Sequence, residues 1–367
     1  MTQATGVGVI GCGNISAVYL RNLQRFPWLR LVACADLDMA RAGAAAKACG
    51  VGRACTPENL LTDPDIQIVV NLTVPAAHAP VSEAALDAGK SVYSEKPLAL
   101  TRNDARRLCD VAKSRNLRIG CAPDTILGAG IQSCIQLIHD GAIGRPVAAT
   151  AFFTCPGHES WHPDPAFYYQ PGGGPMFDMG PYYLAALVAM LGPVRRVAGM
   201  TARGHAERVV GSGPRRGASI PVQVPTHVTG LLELADGVIV TLVTSFDVPF
   251  ADLPRIEVYG SEGSLSVPDP NGFGGPVRLC RRGETSWREM PLTHGYLDNW
   301  RGLGVADMAR AIETGRQHRC SEALALHVVD VMQALHESAA AHQFVDIVCA
   351  CERPQPLPPG LAEGVLD

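Results

Sequence analysis

Along the first third of the chain, short apolar runs alternate with stretches whose apolar residues recur at helical spacing. The runs at 7–10, 31–36, 66–71, 91–94 and 118–122 are mostly apolar, as strands are when helices cover both faces of a parallel sheet. Between them, 15–26, 39–49, 79–88 and 102–115 carry the pattern of amphipathic helices. After Arg145-Pro146 the rhythm changes. Longer runs at 147–154, 194–203, 226–234, 238–247 and 255–259 predict strands of a largely antiparallel sheet. The two runs flanking Ala235-Asp236-Gly237 predict a hairpin, because glycine supplies the positive φ that a tight turn needs. Two helical stretches, 300–315 and 322–341, follow, and the Pro-rich segment from Pro354 is expected to be loosely held. The fold class is therefore α/β. An N-terminal parallel sheet is joined to a C-terminal α+β domain with a large, mostly antiparallel open sheet, and the divisions fall at 1–123, 124–352 and 353–367.

Composition narrows the partners. At 367 residues, 47% hydrophobic and 18% charged, the chain has enough apolar surface for two folded domains. A net charge of -4 with no basic block gives no reason to expect nucleic acid or an anionic membrane. The apolar run at 184–191 is far shorter than the ~18–20 residues of a spanning helix. Residues 1–10 lack the charged start and apolar core of a secretory signal, so a cytoplasmic setting is expected. The twelve cysteines include no C-x-x-C pair, and the closest two are Cys349 and Cys351. They read as reduced thiols, with no metal site.

The first candidate chemistry lies where the first strand meets the first helix. Gly11-Cys12-Gly13-Asn14-Ile15-Ser16 fits the dinucleotide-binding turn of a Rossmann domain. Gly11 allows the turn, and Gly13 lets the backbone approach a pyrophosphate. Asn14 and Ile15 lead into a helix whose N–H groups face the anion. Asp36 ends the second strand, 23 residues after Gly13, where a carboxylate reads the adenine ribose. With Asp38 close by and no Arg immediately following, a 2'-phosphate is disfavoured, so NAD is expected over NADP.

Further along, Ser94-Glu95-Lys96-Pro97 and the segment Gly172-Gly173-Gly174 followed by Asp178-Met179-Gly180-Pro181-Tyr182 complete a signature. Together with the glycine turn, and with Asn71, Thr73 and His78 in the 66–71 strand and the loop after it, they resemble the Gfo/Idh/MocA oxidoreductases over nearly the whole chain. That family includes glucose–fructose oxidoreductase and inositol dehydrogenases. The resemblance implies a catalytic Lys96, a nicotinamide side formed by Asn71, Thr73, His78, Glu95 and Lys96, and an oligomer (homodimer or homotetramer) built on the C-terminal sheet. Most of the family carries His where this chain has Tyr182, and a minority carries Tyr.

The residue chemistry agrees. Removing hydride from an alcohol carbon requires a group that takes the hydroxyl proton or polarises the oxygen. Lys96 can do either if burial lowers its pKa, and the phenol of Tyr182 would fall toward neutrality beside it. Asp178 and Tyr182, four apart on one helix, face the same way. Asp124, after the last parallel strand, reads as a hydroxyl contact or a helix cap. Trp161 and His162, in an aromatic loop before the glycines, suit a sugar. His227 and Arg301 are weaker candidates for substrate contact. The expected function is NAD-dependent hydride transfer at a secondary alcohol or ketone of a sugar, cyclitol or glycoside. The alternatives are a redox glycosidase that retains its NAD and a non-catalytic NAD-binding regulator.

Overall fold

The computed structural model describes residues 4–367. Six strands form the first sheet: β1 (Thr5–Ile10), β2 (Leu29–Ala35), β3 (Ala54–Cys55), β4 (Ile68–Asn71), β5 (Ser91–Ser94) and β6 (Ile119–Cys121). All pair in parallel, in the order β3-β2-β1-β4-β5-β6. The helices between them are α1 (Ser16–Leu23), α2 (Met39–Cys49), α3 (Pro57–Leu61), α4 (Pro75–Asp87) and α5 (Arg102–Ser114). The strand order reverses beside β1, and the crevice at the carboxyl ends of β1 and β4 is where such sheets take ligands. Helix α4 begins four residues before the apolar periodicity does. Pro75 occupies its first turn, where a missing N–H removes nothing the helix would use.

The second sheet is built from α6 (Ala129–His139), β7 (Pro146–Thr154), α7 (Pro175–Leu191) and β8 (Val194–Ala202) onward. A two-stranded flap, β9 (Glu207–Val209) with β10 (Ser219–Pro221), precedes β11 (His227–Leu234) and β12 (Ile239–Ser245). These two strands form the predicted hairpin, with Gly237 at φ +81. Then come β13 (Ile256–Gly260), β14 (Gly263–Val267), β15 (Val277–Arg281) and β16 (Arg288–Met290). Helices α8 (Leu303–Thr314) and α9 (Glu322–Ala341) and the strand β17 (Val345–Asp346) complete the order. The nine strands run β16-β15-β14-β13-β7-β12-β11-β8-β17, antiparallel except where β7 and β12 pair in parallel. Helix α7 lies against this sheet and is buried almost all round from Gly180 to Leu191. A helix without a polar face belongs inside, and its N-terminal part, with Asp178 and Tyr182, meets Lys96.

Helices α8 and α9 return to the first sheet. Cys121 N–H donates to Cys320 O at 3.0 Å, and Asn22 Nδ2 donates to Asn299 O at 2.8 Å and Arg301 O at 2.9 Å. Arg102, opening α5, donates through Nε to Asp330 Oδ1 on α9 at 2.5 Å and through Nη2 to Glu337 at 3.0 Å. Asp330 is fully buried, and its other oxygen accepts the N–H groups of Val348 and Cys349.

The segment from Pro354 is not loose. Leu357 and Leu366 are buried, Tyr296 donates its hydroxyl to Val365 O at 2.6 Å, and Trp300 Nε1 donates to Glu363 at 3.0 Å. Arg319, 4% exposed in its side chain, spans Asp307 at 2.6 Å and Asp367 at 2.8 Å. Proline content misled here because prolines restrict the chain without preventing it from packing in extended form. Deleting residues 363–367 should therefore lower the thermal midpoint by about 5 °C or more. The deletion breaks internal hydrogen bonds and leaves a buried guanidinium half-paired. An unchanged midpoint in differential scanning calorimetry would show that the segment adds nothing.

Candidate active site

The glycine turn is shaped for a ligand that comes close to backbone. Gly11 sits at φ +101, and a Cβ there would lie 2.6 Å from the Leu72 carbonyl carbon, so no side chain fits. A Cβ on Gly13 would meet nothing within 4 Å, which leaves the face of the turn open to a pyrophosphate. Ile15 caps α1 with no side-chain hydrogen bond and the first turn carries no acid, so the helix N-terminus faces the crevice with its own N–H groups. These features fit a dinucleotide. Asp36 is buried, its Oδ2 accepting Cys12 N–H at 2.8 Å and its Oδ1 accepting Asp38 N–H at 2.9 Å. Arg41 comes back from the first turn of α2 to 3.6 Å from Oδ1. A cation five residues beyond Asp36 is therefore brought to its carboxylate by the turn into α2, although none follows it immediately in the chain.

On the opposite side of the crevice, several predicted contacts prove to be internal braces. Asn71 is fully buried and its amide donates to His78 O at 3.0 Å and Ser82 Oγ at 3.1 Å, while its Oδ1 accepts the Thr73 hydroxyl at 2.7 Å. His78 is buried with Nδ1 2.6 Å from Pro97 O and Nε2 3.0 Å from Thr73 O. Burial pushes its pKa down, outweighing the pull of both carbonyls. It ties the β4 loop to the loop after β5, and Thr73 is left half-buried at the crevice. Glu95 accepts the Tyr19 hydroxyl at 2.8 Å and Lys96 N–H at 3.0 Å. Asp124 lies outside the crevice altogether. It is buried, and its Oδ2 accepts Gly302 N–H at 2.8 Å and Gly304 N–H at 3.1 Å, capping α8. Burial pushes its carboxyl up to about 6 against those donors. The expectation that Asp124 reads a hydroxyl, or caps the helix next to it, gives way to a cap 178 residues distant.

Lys96, Asp178 and Tyr182 do come together. Lys96 Nζ lies 3.0 Å from Asp178 Oδ1, 2.5 Å from Asp178 O and 5.0 Å from the centre of the Tyr182 ring. Burial alone would strip the charge from both members of the pair. Their mutual attraction overrides it, so Lys96 is held above the ordinary lysine range and Asp178 is lowered to about 2. Lys96 is thus a stable ammonium, not the lowered amine that burial suggested, because the carboxylate sits within hydrogen-bonding distance. Tyr182 departs from expectation in the same direction. Burial raises its hydroxyl, and the nearby Lys96 and Arg301 offset this only in part.

Asp178 has a second partner that sequence reasoning missed. His158, in the loop after β7, places Nε2 3.0 Å from Asp178 Oδ2. Its ring packs on Tyr168 at 4.3 Å, Phe246 at 4.7 Å and Trp161 at 5.3 Å. Trp161 and His162 flank it as part of that cluster, Trp161 being 59% exposed. The signal in the sequence is a histidine in the loop after a predicted strand, at the start of an aromatic stretch in which the Trp161-His162 pair is denser. Arg301 lies against Tyr182, whereas His227 is spent on Ser245 Oγ at 2.9 Å within the sheet.

A glycine turn open to a dinucleotide, facing an ammonium clamped from the other half of the chain, defines a nicotinamide-type oxidoreductase. Two family models match: an oxidoreductase family with an NAD-binding Rossmann fold over residues 5–122, and the GFO/IDH/MocA C-terminal domain over residues 131–266. The chain belongs to the Gfo/Idh/MocA family. It is 32% identical over 267 residues to dTDP-3,4-didehydro-2,6-dideoxy-alpha-D-glucose 3-reductase of Streptomyces antibioticus, covering 71% of this chain and 74% of that one. It is 29% identical over 264 residues to 1,5-anhydro-D-fructose reductase of Ensifer adhaerens, covering 70% and 74%. Levoglucosan dehydrogenase in complex with NADH and levoglucosan shares the fold, with a TM-score of 0.81 at 22% identity over 95% of this chain and 100% of that one. Among the described residues no helix is long and apolar enough to cross a membrane, and no cluster suits a metal ion.

The ion pair has a measurable signature. Because the Asp178 pKa is depressed from 3.8 to about 2, its contribution to stability is complete above the unfolded value and is lost as pH falls through about 2. Lys96→Ala removes the attraction and leaves burial unopposed, so the Asp178 carboxyl should rise by at least about one unit. The pH dependence of its carboxyl ¹³C shift reads this, and an unmoved titration would mean Lys96 is not what holds the charge.

Proposed function

We propose that the chain transfers hydride between NAD and a secondary alcohol or ketone of a sugar, cyclitol or glycoside. The observation that carries the reading is the Lys96 ammonium held by Asp178 over Tyr182, at the carboxyl edge of the parallel sheet beside the glycine turn. Relatives that are reductases and dehydrogenases of sugars and inositol point to the same substrate class. The turn Gly11–Ile15 would hold the pyrophosphate and Asp36 the ribose. Thr73 and Glu95 would line the nicotinamide side, braced by Asn71 and His78. When bound, the nicotinamide supplies or accepts the hydride. Lys96 donates an N–H to the substrate oxygen and stabilises the negative charge that grows there in the reductive direction. Asp178 keeps that ammonium charged and aimed. The Tyr182 hydroxyl, protonated throughout, orients the same oxygen, and Trp161 with His162 offers aromatic faces to the ring C–H groups of a sugar.

The catalytic reading is favoured over a non-catalytic regulator because both Lys96 and Asp178 are present and paired. A homodimer or homotetramer would form on the open face of the nine-stranded sheet, where Leu231 and Met200 stand exposed on the adjacent strands β11 and β8. Twelve free cysteines fit a reducing, cytoplasmic setting.

Lys96→Ala should lower kcat by ~10²–10⁴-fold while the Kd for NAD, read by fluorescence titration, changes little. Near-normal turnover in an NADH-coupled screen of sugars, inositols and glycosides would move the role elsewhere. For the cofactor, the carboxylate of Asp36 and its neighbour Asp38 should repel a 2'-phosphate more than the exposed Arg41 attracts it. NAD should bind at least about tenfold more tightly than NADP, and Asp36→Ser should narrow that gap. Equal affinities in the native protein would overturn the assignment.

A further inference from the structure

We propose that His158 is the proton-relay residue of this site, exchanging protons between solvent and Lys96 through the carboxylate of Asp178. The inference rests on the hydride-transfer reading above. It starts from a need that the site itself creates. Each turnover takes a proton from Lys96 or returns one to it, so Lys96 must be recharged or discharged each time. Asp178 cannot store that proton, its carboxyl lying at about 2. Tyr182 cannot release one readily, because burial raises its hydroxyl. The phenol of Tyr168 is likewise pushed up by burial. Imidazole is the side chain whose ordinary chemistry exchanges a proton near neutrality, and one stands on the free oxygen of the carboxylate that holds Lys96.

The geometry suits a relay. Asp178 Oδ1 faces Lys96 Nζ and Oδ2 faces His158 Nε2, each at 3.0 Å. The carboxylate can only accept, so Nε2 carries the hydrogen in this contact. The His158 side chain is 11% exposed, so the ring is in touch with solvent. Its place is fixed from behind: Glu159 Oε1 pairs with Arg208 at 3.1 Å, Arg208 also pairs with Asp247, and Gly211 N–H donates to Glu159 O at 2.8 Å. The titratable and charged groups around the ring are Asp178 on α7, Glu159 and His162 in its own loop, and Cys155 at the end of β7. Tyr168 faces it, Arg208 and Asp247 lie behind it, and Lys96 stands across the carboxylate.

In the reductive direction the substrate carbon takes the hydride. Its oxygen takes a proton from Lys96 as the N–H bond breaks and the O–H bond forms. His158 passes its Nε2 proton to Asp178 Oδ2, the neutral carboxyl turns about its Cβ–Cγ bond, and the O–H so presented reprotonates the Lys96 amine. The ring takes up a solvent proton at Nδ1, remains neutral as its other tautomer, and regains Nε2–H by exchange with solvent before the next turnover. Oxidation runs each transfer in reverse. His158 acts through Asp178 and does not itself touch the substrate.

The decisive variant is His158→Gln, which places an amide N–H where Nε2 stands and keeps the hydrogen bond without the ability to pass a proton. It should lose ~100-fold in kcat, with KM within about threefold, and change the shape of the kcat–pH profile. Added imidazole should restore part of the kcat of His158→Ala. In the cofactor-free protein, Asp178→Asn should move the His158 Cε1–H chemical shift at fixed pH, confirming the contact independently of turnover. A Gln variant with wild-type kcat and pH profile would reduce His158 to a hydrogen-bond donor and overturn the relay. A wild-type protein that turns over no sugar, cyclitol or glycoside with either dinucleotide would instead sink the hydride-transfer reading, and the relay with it.

Discussion

Two charges taken out of water together, the ammonium of Lys96 and the carboxylate of Asp178, set the terms for everything around the crevice. Either one alone would be driven to its neutral form by burial. Because they come from different halves of the chain, the pair forms only when the loop after β5 and the first turn of α7 are brought into register. The braces on either side then read as one construction. His78 fixes the Lys96 loop from one side, and α7, without a charged residue beyond its first turn, fixes Asp178 from the other. The N-terminal position of Asp178 on α7 adds the favourable end of a helix dipole.

Much of this was legible in the chain itself, and the reasons differ by element. The parallel strands are buried on both faces, so their composition gave them away, and the glycine turn is a local motif whose meaning depends only on the strand before it and the helix after it. The Lys96-Asp178-Tyr182 grouping came from family resemblance, since no periodicity says that residues 82 apart will touch. The failures share one cause. Asp124, His158, Arg41 and the segment from Pro354 are each defined by a partner distant in sequence or folded back in space: Gly302, Asp178, Asp36 and Arg319. Charge states failed for the same reason. For Lys96 burial predicts a lowered amine, and only the distance to Asp178 shows that attraction wins; for Tyr182 the neighbouring ammonium predicts a lowered phenol, and burial wins.

The catalytic side and the scaffold also divide labour in a way the polar residues make plain. Asn71, His78, Asp124 and Asp330 are all buried and all bonded to backbone. Satisfied groups of this kind specify where loops and helix ends go. Lys96, Asp178 and His158 instead bond to one another, and a chain of titratable groups in contact is where proton chemistry is possible. The distinction is one of partner and of access, since the first set is sealed from water and the second keeps a small exposed fraction.

The return of α8 and α9 to the first sheet bears on how freely halves of such a protein can be exchanged. In sequence the dinucleotide half ends near residue 123, but in space its outer strand is finished by Cys320, its first helix by the carbonyls of Asn299 and Arg301, and its fifth helix by Asp330. A graft of residues 1–123 onto a foreign substrate half would carry those donors without their acceptors. Modularity here follows contacts and not chain order: the transferable unit is the parallel sheet together with the later segment that covers it. Evolution of cofactor preference is therefore freer at the tips of β1 and β2, where a side chain can change alone, than by replacement of the half that bears them.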